Sequence, residues 1–186
     1  MSAWNQLPDE RLRPDDFIAV IEIPKGSKQK YEIDESTGLL RLDRILYTST
    51  HYPANYGFIP RTLAADGDPL DVLVLCSETL VPMCMVQCFP IGILSMKDDN
   101  KNDEKIIAVP FKDPQMSDYQ DLKDLPPHVY NEMEHFFSVY KELEGIETDI
   151  MHISGRAEAE IVFARCREAF EAADDTSKKV YPIANQ

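Results

Sequence analysis

Apolar residues fall first into short runs of strand length along this chain, and only later into helical spacing. Phe17-Ile18-Ala19-Val20-Ile21-Glu22-Ile23 is an apolar run broken by one acid and reads as a strand. Lys30 to Asp34 alternates, Glu35-Ser36-Thr37-Gly38 supplies a hairpin connection, and Leu39 to Arg44 returns as its partner. Val72-Leu73-Val74-Leu75 reads as a buried strand, and Val86 to Leu94 and Lys105 to Val109 as two more. Tyr47 to Arg61 is rich in aromatics and turn residues, the pattern of a loop anchored on a core. Beyond a polar stretch from Asp113 to Pro127, Val129, Met133, Phe136, Phe137 and Tyr140 predict an amphipathic helix of about four turns. Ala157 to Ala172 predicts a second helix. Strands followed by helices indicate α+β. Turn-joined strands with charged interior candidates suggest a small closed, OB-like β-barrel flanked by two main α-helices. Residues 1–16 read as an arm lying on a surface, which another subunit could supply, and 173–186 as a loose tail. The whole chain, 1–186, reads as one domain.

Charge changes this picture more than composition does. The net charge of −14 argues against nucleic acid as a partner. It is equally awkward for a phosphate substrate, so such a site would need local cations, either metals or particular Lys and Arg side chains. No apolar segment approaches membrane-spanning length, and Met1 to Asn5 lacks a signal pattern. Cys76, Cys84, Cys88 and Cys166 contain no C-x-x-C pair and read as thiols of a reducing, cytoplasmic compartment.

The chemistry concentrates at Asp66-Gly67-Asp68-Pro69-Leu70-Asp71, immediately before a core strand. Pro69 biases the segment toward extended or turned backbone, and an extended chain would point Asp66 and Asp68 to one side. Three clustered carboxylates repel unless a cation sits among them, and hard oxygen donors suit Mg²⁺, Mn²⁺ or Ca²⁺. A solvated acidic turn is the bland alternative. An EF-hand loop is rejected, because Leu70 and Ser77 stand where ligands would be required. A second acid-rich stretch, Lys97 to Lys105, reads as a polar loop, by base rate a solvated hairpin tip. Glu22 has two open readings, an edge acid facing water or an acid pointing into a polar cavity. Phosphate-cradling, dinucleotide, zinc-protease and serine-hydrolase motifs do not occur, and His51, His128, His135 and His152 form no zinc pattern.

The hexapeptide resembles the signature of the soluble, magnesium-dependent inorganic pyrophosphatases of family I. The likeness extends in order from about Phe17 to Lys141. Glu22 matches a strand acid, Lys30-Tyr31-Glu32 a K-Y-E motif, and Asp43-Arg44 a D-R pair. Tyr52-Pro53-Ala54-Asn55-Tyr56-Gly57 matches Y-P-x-N-Y-G; Asp98, Asp103 and Lys105 match the second acidic loop, and Tyr140-Lys141 a late Y-K pair. One departure is the segment Met151 to Arg156, which lacks a Trp that many bacterial members carry.

The resemblance implies hydrolysis of pyrophosphate to two phosphates by a metal-activated water. It implies Asp66, Asp71 and Asp103 as ligands of activating metals, with Asp98, Glu22 and Glu32 helping to hold further ions. Asp68 is implied as the general base, and Lys30, Arg44, Tyr56, Lys105, Tyr140 and Lys141 as phosphate contacts. Mg²⁺ is the implied cofactor, replaceable by Mn²⁺ or Zn²⁺ and opposed by Ca²⁺. The implied assembly is a homo-oligomer, a hexamer in preference to a dimer, with no nucleic-acid or membrane partner. A nonenzymatic barrel binding module, a calcium-regulated or metal-storage protein, and a hydrolase of larger diphosphates are the competing classes. Phosphate release from pyrophosphate with Mg²⁺ separates the first two from the resemblance, and a comparison with nucleotides separates the third.

Overall fold

The structure, a computed structural model, describes residues 7–34 and 36–173. In chain order it contains β1 (Leu12–Arg13), β2 (Asp16–Ile23), β3 (Gln29–Ile33), β4 (Leu40–Ile45), β5 (Asn55–Phe58), β6 (Asp71–Val74), β7 (Met85–Asp98) and β8 (Lys101–Pro110). Helix α1 (Pro127–Val139), β9 (Thr148–Gly155) and helix α2 (Arg156–Ala172) follow. The main sheet runs β1-β2-β5-β6-β8-β7-β9, and a further pairing of β2 with β7 closes β2, β5, β6, β8 and β7 into a ring. Closure of this kind removes exposed edges, and it matches the OB-like α+β expectation. Strands β3 and β4 form a separate two-stranded sheet.

Alternation along the ring strands divides the interior in two. Val72 and Val74 of β6, with Ile106 and Ala108 of β8, pack toward Ala159, Val162, Phe163 and Cys166 of α2. Leu73, Ile107 and Val109 face the other way, toward Met133, Phe136 and Phe137 of α1. These strands therefore read as unbroken apolar runs, because each face has a helix to cover it. Phe17 and Phe163 meet with ring centroids 5.1 Å apart on the first side. Phe136 and Phe137 meet edge to face at 4.9 Å on the second.

Several expectations needed correction. The aromatic stretch expected as a loop contains β5, whose register is set by contacts along both its neighbours. The stretch after α1 contains β9, which pairs with β7 although its polar and apolar residues do not alternate cleanly. Lys97 to Lys105 is not a loop. The β7–β8 ladder continues through Met96↔Asp103 and Asp98↔Lys101, leaving a two-residue turn at Asp99 and Asn100 with φ of 49° and 63°. Positive φ at both central residues is the hairpin geometry that suits twisted strands, and Asp and Asn tolerate it. Pro90 sits at a register shift between Pro90 and Gly92, so the strand bulges where it lacks a donor.

The described part of the expected arm, residues 7–16, lies on its own chain. Leu7 and Leu12 join the α2-side core, and Asp9 pairs with Arg61 at 2.8 Å and Arg167 at 3.0 Å. The arm's first six residues and the expected tail from 174 fall outside the described residues. All four cysteines are free thiols, Cys88 and Cys166 buried. Among the described residues no helix is long and apolar enough to cross a membrane.

Candidate active site

Asp66 to Leu70 is a wound turn rather than an extended segment. Ala64 N–H donates to Asp68 O at 2.8 Å, and Asp68 N–H to Asp66 Oδ1 at 3.0 Å. Leu70, fully buried, anchors the turn, and its N–H donates to Thr62 Oγ1 at 2.8 Å. The turn, not strand alternation, brings Asp66 and Asp68 to one side, while Asp71 opens the β6 ladder.

Parallel pairing of β6 with β8 sets Asp71 opposite Lys105. Asp103, two residues earlier, shares the face of Lys105. Lys105 Nζ lies 2.7 Å from Asp71 Oδ2 and 2.8 Å from Asp103 Oδ1, and donates to Tyr56 Oη at 3.1 Å. The Tyr56 hydroxyl itself donates to Asp71. The Lys105 side chain is only 1% exposed and lies over the rings of Phe137 and Tyr56. Burial works against its charge, but the Asp103 and Asp71 carboxylates outweigh that and hold it well above the usual amine range.

Glu22 reaches the same space through a bulge. The register of β2 against β5 shifts between Ile21 and Ile23, leaving Glu22 out of the ladder. Gly57 makes the close approach feasible: a Cβ there would stand 1.9 Å from the Val20 carbonyl oxygen. Of the two readings of Glu22, the polar cavity is the observed one. Burial, reinforced by the charges of Asp71 and Glu32, pushes its carboxyl up to about 8, against the bond it accepts from Ile33 N–H at 2.9 Å and the charge of Lys30.

The remaining residues arrive from three places. On the β3–β4 hairpin, Lys30 pairs with Glu32 and lies 3.5 Å from Asp43. At the end of β7, Asp98 accepts from the Tyr140 hydroxyl at 3.2 Å and pairs with Lys141, both at the end of α1. Asp99, next to it, lies in the turn, so Asp98 and not its neighbour faces Tyr140. The Oδ1 atom of Asp98 is buried without a hydrogen-bond partner.

Glu22, Lys30, Glu32, Tyr56, Asp66 and Asp68 thus line a single pocket of about 330 Å³ together with Asp71, Asp98, Asp103, Lys105, Tyr140 and Lys141. An adjoining pocket of about 260 Å³ shares Asp66, Asp68, Asp98, Asp103 and Lys141. Arg44 alone of the expected residues is not in the lining. Its guanidinium is held by Asp43 and, across the chain, by Glu144. Sequence reasoning missed Glu144 because nothing in its spacing connects it to a residue one hundred positions earlier.

The lining sets seven carboxylates against three lysines. A multiply charged anion cannot enter such a pocket without further positive charge. The all-oxygen donor set suits a hard divalent cation, and the orphan Oδ1 of Asp98 is an acceptor that such an ion would satisfy. Among the described residues no group of three His, Cys, Asp or Glu side chains is already drawn together to hold an ion. Asp71, Asp103, Asp98 and Glu32 face lysine ammonium groups instead, so those acids would have to change partners to hold an ion.

Comparison with known proteins points the same way. Residues 19–171 match the family model described as inorganic pyrophosphatase. Soluble inorganic pyrophosphatase 2 of Chlamydomonas reinhardtii is 48% identical over 159 residues, covering 86% of this chain and 83% of that protein. An inorganic pyrophosphatase of Halalkalibacterium halodurans is 48% identical over 139 residues, covering 75% and 85%. The crystal structure of the inorganic pyrophosphatase from Thermus thermophilus superposes with a TM-score of 0.87 at 37% identity, covering 92% of this chain and all of that one.

Proposed function

The chain belongs to the inorganic pyrophosphatase family and hydrolyses pyrophosphate to two phosphates, and we propose that it does so in the acid-lined pocket, with Asp68 as the general base. The observation that carries this reading is the convergence of acids and lysines from β2, β3, β6, β7, β8 and the end of α1 on one cavity.

The family is metal-dependent. We infer Mg²⁺ here, with Mn²⁺ or Zn²⁺ able to substitute and Ca²⁺ inhibitory. Asp66, Asp71 and Asp103 would hold the activating ions, and Asp98, Glu22 and Glu32 would help hold further ones. When bound, these ions supply the positive charge the pocket lacks and acidify the attacking water. Asp68 stands on the exposed turn, where its carboxylate would accept a proton from the attacking water. Lys105, Tyr56, Tyr140, Lys141 and Lys30 donate hydrogen bonds to phosphate oxygens, and Arg44 can supply two in parallel.

Each of these lysines has a carboxylate partner, so a carboxylate that held a cation would leave its ammonium free for the substrate. The lysines are the local cations that an acidic chain needs for an anionic substrate. Nucleic acid is disfavoured as a partner by the same charge. A cytoplasmic homo-oligomer, a hexamer ahead of a dimer, fits the resemblance and the exposed Leu39, Leu42, Tyr47, Leu143 and Ile161.

The test combines phosphate release with calorimetric metal binding. Asp68→Asn is expected to lower kcat by about a hundredfold or more, while leaving Mg²⁺ affinity nearly intact. Equal loss of both would make Asp68 a ligand instead of a base. Wild-type protein that releases phosphate from ATP as readily as from pyrophosphate would assign it to larger diphosphates.

A further inference from the structure

Arg44 is the one expected phosphate contact held outside the pocket lining, and its neighbours explain where it is held. Its Nε lies 3.1 Å from Glu144 Oε1 and 3.0 Å from Oε2, and its Nη1 donates to Asp43 at 2.6 Å. Nη2 is buried and has no partner. Buried donors are rarely left unmade, and a phosphate oxygen would satisfy this one. The Arg44 and Glu144 side chains are 23% and 12% exposed, so their pairing is better shielded than an ordinary surface bridge.

Glu144 stands on a tight turn that grows out of the end of α1. Its N–H donates to Lys141 O at 2.9 Å, and Gly145, at φ 73°, closes the turn with a bond to Glu142 O at 3.1 Å. The turn therefore fixes Glu144 relative to Tyr140 and Lys141, which meet Asp98. The β3–β4 hairpin carrying Arg44 shares no strand pairing with the ring. Ile33 and Leu40 pack the hairpin on Val20 and Phe58 of the ring, and the Arg44–Glu144 pair adds a direct strut to the turn that follows Lys141.

We propose that Glu144 is a positioning residue for substrate binding: it orients the Arg44 guanidinium and sets the spacing of the β3–β4 hairpin from Tyr140 and Lys141. Asp43 shares the guanidinium but lies on the same hairpin, so it orients Arg44 without fixing that spacing. The proposal rests on Arg44 being a phosphate contact, as inferred above.

Four variants, Glu144→Gln, Glu144→Asp, Arg44→Ala and the double variant of Glu144→Gln with Arg44→Ala, test it. The readouts are kcat, KM, and calorimetric affinity for imidodiphosphate in Mg²⁺ and for Mg²⁺ alone. Glu144→Gln is expected to weaken imidodiphosphate and raise KM by about tenfold, the loss of one charge-assisted hydrogen bond, with kcat and Mg²⁺ affinity changed much less. Glu144→Asp should recover part of the loss. The double variant should be no weaker than Arg44→Ala alone, because Glu144 acts through Arg44. If Arg44→Ala weakens imidodiphosphate and Glu144→Gln does not, Glu144 is not a positioning residue and the reading of the pocket stands. If neither variant alters affinity, Arg44 is not a phosphate contact and both readings of it fall. An equal drop in Tm and Mg²⁺ affinity for Glu144→Gln would mark a merely structural role and overturn the proposal.

Discussion

Lys105 and Lys30 are both proposed here as phosphate contacts, yet they stand in opposite kinds of structure. Lys105 belongs to β8, inside the closed ring, with β6 on one side and β7 on the other. Its ammonium is enclosed by Asp71, Asp103 and Tyr56 and is 1% exposed. Lys30 belongs to a two-stranded sheet outside the ring, its side chain 22% exposed beside Glu32 and Asp43. Along β4 four of six residues are exposed and none is buried, whereas the second half of β8 is buried throughout. The ring holds its charges by geometry that backbone ladders impose. The hairpin holds its charges by side-chain pairs that can be exchanged at little cost. The contrast suits a site in which one set of charges is preset by the ring and another, on the hairpin, adjusts to the substrate.

The sharpest way to break this contrast is to remove the two ammonium groups in turn. Lys105→Met leaves Asp71 and Asp103, both half-buried, without their shared ammonium, and should destabilise the metal-free protein by about 1–3 kcal/mol. Mg²⁺ should then raise the Tm of the variant more than that of wild type, because it neutralises the stranded carboxylates. A variant as stable as wild type in the absence of metal would show that the ring does not depend on this pairing.

A second test uses pH. Glu22 titrates at about 8 in the folded chain against an ordinary 4.5. Between those values the folded chain keeps a proton that the unfolded chain has released. The stability from this group is therefore fully present below about 4.5 and is lost as pH rises through about 8. The Tm of metal-free protein should fall over this window, and Glu22→Gln should flatten the fall. Mg²⁺ should act in the opposite sense, raising Tm more at pH 8 than at pH 5, because the ionised carboxylate is the form a cation uses. Identical profiles for wild type and Glu22→Gln would remove Glu22 from the pocket's proton balance.

The smallest effect on stability belongs to the hairpin. Lys30→Met should cost at most about 1 kcal/mol, the scale of a partly exposed pair. Its KM for pyrophosphate should nevertheless rise if, as proposed, the ammonium contacts substrate. Thermal melts beside steady-state kinetics separate the two. A loss of stability matching that of Lys105→Met would erase the distinction between the regions.

Much of the pocket was readable from the chain because its acids and lysines are tied to local patterns. Asp66, Asp68 and Asp71 lie within one short segment, and Asp103 and Lys105 share a strand face. The apolar runs around them read as strands for the same local reason. Strands β5 and β9 escaped because their identity rests on neighbours: β5 sits between β2 and β6, and β9 takes its place from β7. The polar end of the β7–β8 hairpin looked like loop because composition does not reveal that a ladder continues beneath charged side chains.

The order of amino acids was enough to point to pyrophosphate hydrolysis and to name the acids and lysines that meet in one pocket, since donor type and local spacing are properties of the chain. Which acid faces which ammonium, the bulge that turns Glu22 inward, and the reach of Glu144 to Arg44 all arise only when distant segments meet. Those contacts depend on ring closure and on two helices covering opposite faces of the same strands, and no stretch of chain carries that arrangement alone.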